Sequence, residues 1–290
     1  MQTILGAGGA IGVELAKVLP EFTTDIRLVS RNPKKVNETD QLYPADLTNR
    51  DAVFKAVEGS EITYVVVGFP YKTKVWQTLW PSFIKNVIDA CLEHNSKLVF
   101  FDNVYAIGGD HVKHITEEST VSPTSKKGVV RAEVDRIILD AIEKRGLNAI
   151  IARSADFFSE NKGNSMLMTM IYDNLVKGKK AQWFCNKEVI HNCSYTPDLA
   201  RGTAMLGNAP ETYNQIWNLP TDPEKINAQG WTNLFAKELN AKNTKIQVLP
   251  AWGIKLLGFF IPIVGEMYEM RYQYDRDYFF DSSKFNKHFN

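Results

Sequence analysis

The sequence predicts an α/β fold in which helices cover both faces of a doubly wound parallel sheet. Three observations carry this prediction. Short apolar segments alternate with longer segments of helical periodicity, the segment 62–68 is apolar almost throughout, and a glycine-rich turn joins the first apolar segment to the first helix. Continuous apolar strands are typical of sheets buried on both faces. Strands that alternate with helices predict parallel pairing through right-handed crossovers.

The individual elements follow from the same patterns. The predicted strands are short and rich in aliphatic residues, and they lie at 1–5, 26–29, 42–45, 62–68, 97–101 and 149–152. The predicted helices show apolar residues at helical spacing, and they lie at 11–19, 49–57, 74–94 and 125–145. Beyond Arg153 the alternation loosens. We therefore expect residues 1–160 to form the core with 188–220 returning to it, and 161–187 and 221–290 to form a smaller C-terminal lobe.

The glycine-rich turn predicts a dinucleotide site, because it stands between a strand and a helix. Gly6 permits the turn, Gly8 or Gly9 lets the backbone approach a pyrophosphate, and Gly12 lets the helix pack closely. The helix start adds unpaired N–H groups and a positive dipole end. A glycine turn without a ligand is the alternative. The residues predicted to bind the pyrophosphate are Gly6, Gly8, Gly9, Ala10, Ile11 and Gly12.

The end of the second strand favours NADP over NAD. An NAD site calls for an acidic residue there, about 20 residues past the glycines, but the segment reads Ser30-Arg31-Asn32. A planar guanidinium pairs well with phosphate oxygens, so Arg31 is expected to meet the 2′-phosphate. Ser30 and Asn32 add hydrogen-bonding groups. A solvated basic loop is the alternative interpretation.

Composition argues against several classes of protein. The formal net charge of +1 gives no argument for a nucleic-acid partner. The three cysteines form no CxxC pair and have no histidine at metal-ligand spacing, so no metal site is expected. The first strand begins at the start of the sequence, and we expect no signal peptide and a cytoplasmic location. The most apolar segment, 248–265, is interrupted by Lys255, prolines and glycines, so no integral membrane segment is expected.

Two apolar features have several interpretations. The segment 256–264 could wall an apolar substrate pocket, cover the end of the sheet or rest on a membrane surface, and we expect it to be buried in the small lobe. A stripe along the first long helix is typical of core or of a dimer face, which makes a homodimer through the two long helices an expectation. The stripe consists of Trp76, Trp80, Phe83, Val87 and Cys91.

Several motifs together resemble the short-chain dehydrogenase/reductase superfamily, on the extended and atypical side that includes NAD-dependent epimerase/dehydratase and NmrA-like proteins. The motifs are Gly6-x-x-Gly9-x-x-Gly12, Ser30-Arg31-Asn32-Pro33, Ala45-Asp46-Leu47, 99–108, Tyr195-Thr-Pro-Asp198 and Asp281-Ser-Ser-Lys284. The resemblance implies a Rossmann-type doubly wound parallel sheet with a smaller C-terminal substrate-side lobe. It also implies that Asp46 and Leu47 border the adenine, and Gly68 and Phe69 the adenosine side.

The resemblance breaks down at the catalytic residues. Active members carry a serine or threonine after the fifth strand and Tyr-x-x-x-Lys on the next helix. Here Asn103 falls near the serine position, Lys127 at the tyrosine position and Arg131 at the lysine position. Our hypothesis is that Arg131 binds the ribose and that Lys127 or Tyr105 handles the proton. The alternative is that both cations only bind cofactor or project into solvent.

The remaining polar candidates point to a small-molecule substrate. Tyr71 follows the fourth predicted strand, and Arg153 and Asp156 follow the sixth, at the edge of the sheet where ligands bind. His111, His114 and His191 are expected to be surface histidines without partners. Two functions remain open. We favour an NADP-dependent enzyme that reduces a carbonyl, or epimerises through a keto intermediate, on a small organic or sugar-like substrate. The alternative is a non-catalytic NADP-binding regulatory protein of the NmrA-like kind.

Overall fold

The computed structural model of the protein describes residues 1–160 and 165–289. Its strands are β1 (Gln2–Leu5), β2 (Ile26–Ser30), β3 (Gln41–Pro44), β4 (Ile62–Val65), β5 (Lys97–Asn103), β6 (Ala149–Ser154), β7 (Asp156–Phe158), β8 (Ala181–Phe184), β9 (Cys193–Tyr195), β10 (Gln215–Asn218) and β11 (Ile246–Leu249). Its α-helices are α1 (Ala10–Val18), α2 (Arg50–Val57), α3 (Thr73–Glu93), α4 (Lys126–Arg145), α5 (Asp173–Val176), α6 (Thr196–Asn208), α7 (Ala228–Glu238), α8 (Ala251–Gly258), α9 (Pro262–Tyr268) and α10 (Ser283–Phe289).

Seven parallel strands form the central sheet, in the order β3-β2-β1-β4-β5-β6-β10. The order reverses between β1 and β4, and a crevice for ligands opens at such a switch point. The residues of β1, β4 and β6 are all buried, as parallel strands covered on both faces must be. The prediction of a Rossmann-type doubly wound sheet is confirmed.

Helices pack on both faces of this sheet. One core contains apolar side chains of α2, α3 and α4, and the other contains those of α1, α6 and α10. The α3 stripe from Trp76 to Cys91 lies in the first core, so it is core rather than an open face. Ser125 caps α4 by accepting a hydrogen bond from the Gly128 N–H at 3.0 Å. This cap fixes where α4 begins and therefore where Lys127 and Arg131 point.

A third apolar core lies in the C-terminal half. It contains side chains of α7 and of the parallel pair β8 and β11, together with residues 167–175. The short strands β7 and β9 pair in parallel, and β10 lies at the edge of the central sheet. The division into a core and a smaller lobe stays a prediction. Residues 161–164 and 290, which were assigned to that lobe, lie outside the described residues.

The expected burial of the apolar segment 256–264 is wrong. Residues 251–268 form a helical hairpin of α8 and α9, and its apex carries Phe259 and Phe260, which are 78% and 79% exposed. One face of the hairpin reaches the third core, through the buried Ile254 and the partly buried Val264, Met267 and Tyr268. The remaining apolar side chains therefore face outward. Among the described residues, no helix has the length and hydrophobicity that crossing a membrane requires.

Candidate functional site

The glycine turn has the geometry that its residues predict. Gly6 has φ = +98°, and a Cβ at this position would lie 2.8 Å from the Val67 backbone. A Cβ on Gly12 would lie 2.6 Å from the Gly6 carbonyl oxygen, so only glycine lets α1 approach the turn this closely. Gly8 and Gly9 have more space, with nearest atoms at 3.9 and 3.5 Å. The turn thus presents bare backbone next to the N-terminus of α1.

This turn forms one wall of a cleft of about 710 Å³, which we call the glycine-loop cleft. It lies where β1, β2 and β4 end, and its lining residues are Gly6, Gly8, Gly9, Ser30, Arg31, Asn32, Ala45, Asp46, Leu47, Thr48, Val67, Gly68, Phe69, Pro70, Val75 and Leu79. The structure therefore brings together ten of the residues predicted to bind cofactor. Ala10, Ile11, Gly12 and Arg131 do not line the cleft. Gly12 instead contributes by letting α1 pack closely against the turn. The assignment of all these residues to a cofactor stays a prediction.

Two polar groups of the cleft are available to a ligand. Arg31 is exposed, and the Ser30 Oγ is buried without a hydrogen-bond partner among the described residues. Asp46 is held by its own loop, because hydrogen bonds from the Thr48 N–H and hydroxyl lower the pKa of the carboxyl below its ordinary value. The charge of Arg31 contributes less to this shift. A buried hydroxyl without a partner is a site that a ligand can satisfy.

Lys127 is fully buried and belongs to a group of side chains that we call the Lys127 cluster: Lys127, Thr73, Glu266 and Glu269. Its Nζ donates to the carboxylate of Glu266, to Glu269 Oε1 at 2.7 Å and to Thr73 Oγ1 at 3.2 Å. It also contacts the Glu266 carbonyl oxygen at 3.1 Å. An ammonium has three hydrogens, and here four acceptors share them. Partial burial of Glu266 acts to raise its pKa, but hydrogen bonds from Lys127 and Thr73 outweigh it and lower the pKa below the ordinary value.

Arg131 lies one turn further along α4 and is also enclosed. Its guanidinium donates to the Asp102 carboxylate, with Nε at 2.6 Å from Oδ1. The same group lies 4.4 Å above the Trp80 ring and 4.9 Å from the Phe100 ring. Its predicted role as a ribose ligand stays a prediction, and its burial between these rings argues against that role.

Arg153, predicted to face the substrate, lies in a second buried ion pair. Its Nη2 donates to Asp135 Oδ2 at 2.8 Å, and only 1% of Arg153 is exposed. Burial and the nearby charge of Asp102 raise the pKa of Asp135 to about 7, against the lowering effect of Arg153. When both aspartates are ionised, the two arginines and two aspartates balance in charge. This arrangement is typical of a compensated interior rather than of a substrate contact.

Three tyrosines stand beside the Lys127 cluster: Tyr71, Tyr105 and Tyr272. Tyr71 and Tyr105 share a hydrogen bond, and burial raises the pKa of all three phenols above the ordinary value. The Lys127 Nζ lies 4.4 Å from the centre of the Tyr71 ring. The Asn103 carboxamide accepts from the Tyr105 N–H at 2.9 Å, so it orients the loop that carries Tyr105. The predicted residues Lys127, Tyr71, Tyr105 and Asn103 are therefore neighbours.

The expectation that the histidines are partnerless surface groups is wrong for His191 and His114. His191 is 1% exposed and contacts Asp156 Oδ2 and the Gln273 carbonyl oxygen, both at 3.0 Å. Its ring is stacked between Tyr274 and Tyr278, with 4.7 Å between centroids. His114 is exposed but pairs with Asp281 at 2.8 Å. His111 is exposed, as expected.

Sequence reasoning missed the acidic partners. Asp102 and Asp135 sit in a strand and a helix with no pattern that marks them, whereas Glu266 and Glu269 carry a weak signal. They are three residues apart after a long apolar segment, so they share one helix face. Within the described chain no group of three histidine, cysteine, aspartate or glutamate side chains is arranged to hold a metal ion.

A second cleft, of about 580 Å³, lies in the C-terminal half. Its walls include aromatic side chains such as Phe158 and Trp231 and three acidic residues, Asp198, Asp222 and Glu224. This lining would repel phosphate groups and favours an uncharged or cationic ligand.

The family model described as the NAD dependent epimerase/dehydratase family matches residues 3–219. No curated protein matches the chain. Among solved structures, the chain is similar to DesIV, a dTDP-glucose 4,6-dehydratase from Streptomyces venezuelae with NAD and TYD bound, at 13% identity and a TM-score of 0.79, covering 99% of this chain and 90% of that one. It is also similar to UDP-glucose 4-epimerase from Thermus thermophilus in complex with NAD, at 13% identity and a TM-score of 0.76, covering 99% and 93%. UDP-N-acetylglucosamine 4-epimerase from Bacillus cereus gives 15% identity and a TM-score of 0.74, covering 86% and 84%.

Proposed function

Since the chain belongs to the NAD dependent epimerase/dehydratase family, we propose that it binds NADP and acts as an oxidoreductase, or as an epimerase or dehydratase. The substrate is a small carbonyl or sugar-like compound. One observation carries the cofactor half of this proposal: the glycine turn and the segment Ser30-Arg31-Asn32 line the same cleft.

The cleft offers a group for each part of the dinucleotide. Amides of the turn and of the start of α1 would hold the pyrophosphate, and Asp46, Leu47, Gly68 and Phe69 would border the adenosine. Arg31 would pair with the 2′-phosphate, because it is exposed and the adjacent Ser30 hydroxyl lacks a partner among the described residues. This set of unengaged groups supports NADP over NAD.

The proposed proton donor is Tyr105, assisted by Tyr71. When bound, the dinucleotide supplies or accepts a hydride. Burial raises the pKa of Tyr105, so it stays a phenol that can donate a hydrogen bond to a carbonyl oxygen. Once Tyr105 has given its proton to the substrate, the Tyr71 hydroxyl can donate to the phenolate left behind, and water then returns a proton to Tyr71. Lys127 has no hydrogen left to donate and would position Tyr71 from 4.4 Å.

The acidic second cleft narrows the substrate class. The carboxylates of Asp198, Asp222 and Glu224 would repel a diphosphate. We therefore propose that the second cleft receives the substrate and that this substrate carries no phosphate group, in contrast to the nucleotide sugars named for the structural relatives.

A specific observation favours a second candidate function, a non-catalytic NADP sensor. Both cations of α4 form ion pairs with acidic residues of the same chain. Lys127 pairs with Glu266 and Glu269, and Arg131 pairs with Asp102. Positions that serve proton transfer in active relatives would then hold the fold together.

The test begins with the wild-type chain. Calorimetry with NADPH and NADH measures binding, and loss of NADPH absorbance with a panel of aldehydes and ketones measures turnover. For an enzyme, Tyr105→Phe should lower kcat at least about 100-fold while NADPH affinity is retained. Tyr213→Phe, a distant partly buried tyrosine that donates to the Gly207 carbonyl, is the matched control. Tight binding without turnover of any compound would favour the sensor, and absence of binding would exclude both candidates.

We also propose a cytoplasmic homodimer. Helix α4, which packs against α3, carries the exposed Val129 and Leu139, at 55% and 40%. Cys91, Cys185 and Cys193 are free thiols, which is typical of a reducing compartment. Light scattering of the wild type and of Val129→Glu tests the dimer, and a wild-type monomer would exclude it.

A further inference from the structure

The α8–α9 hairpin concentrates exposed apolar side chains in a single segment. Seven of the fifteen large hydrophobic side chains that are exposed in the described part of the chain lie between residues 252 and 263. They are Trp252, Leu256, Leu257, Phe259, Phe260, Ile261 and Ile263. Apolar patches of this kind mark an interaction surface, because leaving them in water is unfavourable.

The base of the hairpin is fixed to the rest of the protein, so the exposed side chains project from an ordered element. A Cβ on Gly258 would lie 2.7 Å from the Gly265 Cα, which shows how closely the two helices approach. Glu266 accepts from the Thr73 N–H at 3.0 Å, and Glu269 accepts from the Lys126 N–H at 2.8 Å. These contacts fix α9 to the first turns of α3 and α4.

Lysines outnumber acidic residues in and around the hairpin. The segment 251–265 of the hairpin contains no acidic residue and one lysine, Lys255. At the base, Lys72, Lys74 and Lys126 are exposed next to the backbone groups that bind Glu266 and Glu269. Glu266 and Glu269 both pair with Lys127, which offsets one of their two negative charges, so the three exposed lysines exceed the acidic charge that remains at the base. The hairpin therefore has an apolar apex and a basic base.

We propose that this hairpin anchors the protein to the surface of a membrane that contains anionic lipids. An apolar apex enters the boundary between headgroups and acyl chains, while lysines behind it meet anionic headgroups. Trp252, 73% exposed, is the residue type that favours this boundary. A second copy of the chain is a poorer occupant, because its own lysines would face these lysines across the interface.

The test uses the full-length chain and flotation with vesicles. One set of vesicles contains phosphatidylcholine alone, and the other contains phosphatidylcholine mixed with phosphatidylserine. The wild type should float with the mixed vesicles, less with the neutral ones, and less still as salt is raised. Phe259→Ser/Phe260→Ser should lower the bound fraction at least about tenfold, because two large apolar side chains no longer leave water.

Two matched variants serve as controls. Val121→Ser/Val176→Ser removes two other exposed apolar side chains and should bind as the wild type does. Lys72→Glu/Lys74→Glu should weaken binding to mixed vesicles only, whereas Lys55→Glu/Lys85→Glu, at exposed positions on α2 and further along α3, should not. Circular dichroism checks the fold of each variant.

Three results would overturn the proposal. The wild type could fail to float with either set of vesicles, or the hairpin and control variants could float equally. Light scattering could also show a wild-type dimer that Phe259→Ser/Phe260→Ser dissociates, without any vesicle binding. The last result would assign the hairpin to a second copy of the chain.

Discussion

The glycine-loop cleft and the Lys127 cluster differ in how their polar groups are paired. In the cleft Arg31 is exposed and the Ser30 hydroxyl has no partner in the described structure, so both are available to a ligand. In the cluster Lys127 is fully buried and its hydrogens are engaged by Glu266, Glu269 and Thr73. The first region is built to receive charge from outside. In the second, the ammonium is already paired with carboxylates of its own chain, so the cleft favours a bound cofactor more clearly than the cluster favours a reaction.

The largest expected effect comes from removing the lysine of the Lys127 cluster. Lys127→Met leaves Glu266 and Glu269 without their cation, and we expect a loss of about 3 kcal/mol in the free energy of unfolding. Urea denaturation measures it. Adding Glu266→Gln and Glu269→Gln to the same chain should recover part of the loss, because the carboxylates no longer need compensation. A loss below about 1 kcal/mol in the single variant would show that the cluster does not carry the role assigned to it.

The next effect concerns the cleft and leaves the cluster intact. Gly12→Ala places a Cβ 2.6 Å from the Gly6 carbonyl oxygen, so the turn must move. We expect NADPH affinity to fall at least about 100-fold, since the turn no longer presents its amides correctly. Gly202→Ala on α6 is the matched control, because its Cβ would lie 2.7 Å from the Pro220 side chain, a comparable clash away from the cleft, and it should leave NADPH affinity unchanged. Calorimetry measures both, and equal affinities would separate the turn from dinucleotide binding.

The contrast between the two regions also explains what could be predicted from sequence. The cleft depends on residues within a short range: a glycine motif, the end of the next strand and the segment Ala45-Asp46-Leu47. The cluster depends on Lys127 meeting Glu266 and Glu269, about 140 residues later. No local pattern reports such a distance, and the same holds for His191 with Asp156. Burial of 256–264 was mispredicted for another reason. An apolar sequence shows that a segment is more stable out of water, but it does not show which surface will bury it.

The buried pair of Asp135 and Arg153 predicts a pH dependence of stability. The folded protein holds a proton on Asp135 up to about pH 7, whereas the unfolded chain releases it near 3.8. The folded state therefore binds more protons between these values. The stabilisation is full below pH 3.8 and is lost as the pH rises to about 7.

Urea denaturation at a series of pH values measures this slope. The stability of the wild type relative to Asp135→Asn should fall by at most about 1.4 kcal/mol per pH unit between pH 3.8 and about 7, and stay flat outside this range. Asp51→Asn, at an exposed position in α2, should give no such slope. A difference that rises with pH would mean that Asp135 is ionised throughout, held by its arginine.

The smallest expected effect concerns Arg31 in the glycine-loop cleft. It tests whether this residue makes the protein prefer NADPH to NADH. Arg31→Ala should lower NADPH affinity about tenfold and leave NADH affinity unchanged, because only NADPH brings a phosphate to that position. Lys34→Ala, three residues further along the same exposed segment, should change neither, and calorimetry compares all three chains. An equal loss for both dinucleotides would place Arg31 on a part of the ligand that they share. Unchanged NADPH affinity would instead assign Arg31 to solvent, and the cleft would then have no charged group that distinguishes the two cofactors.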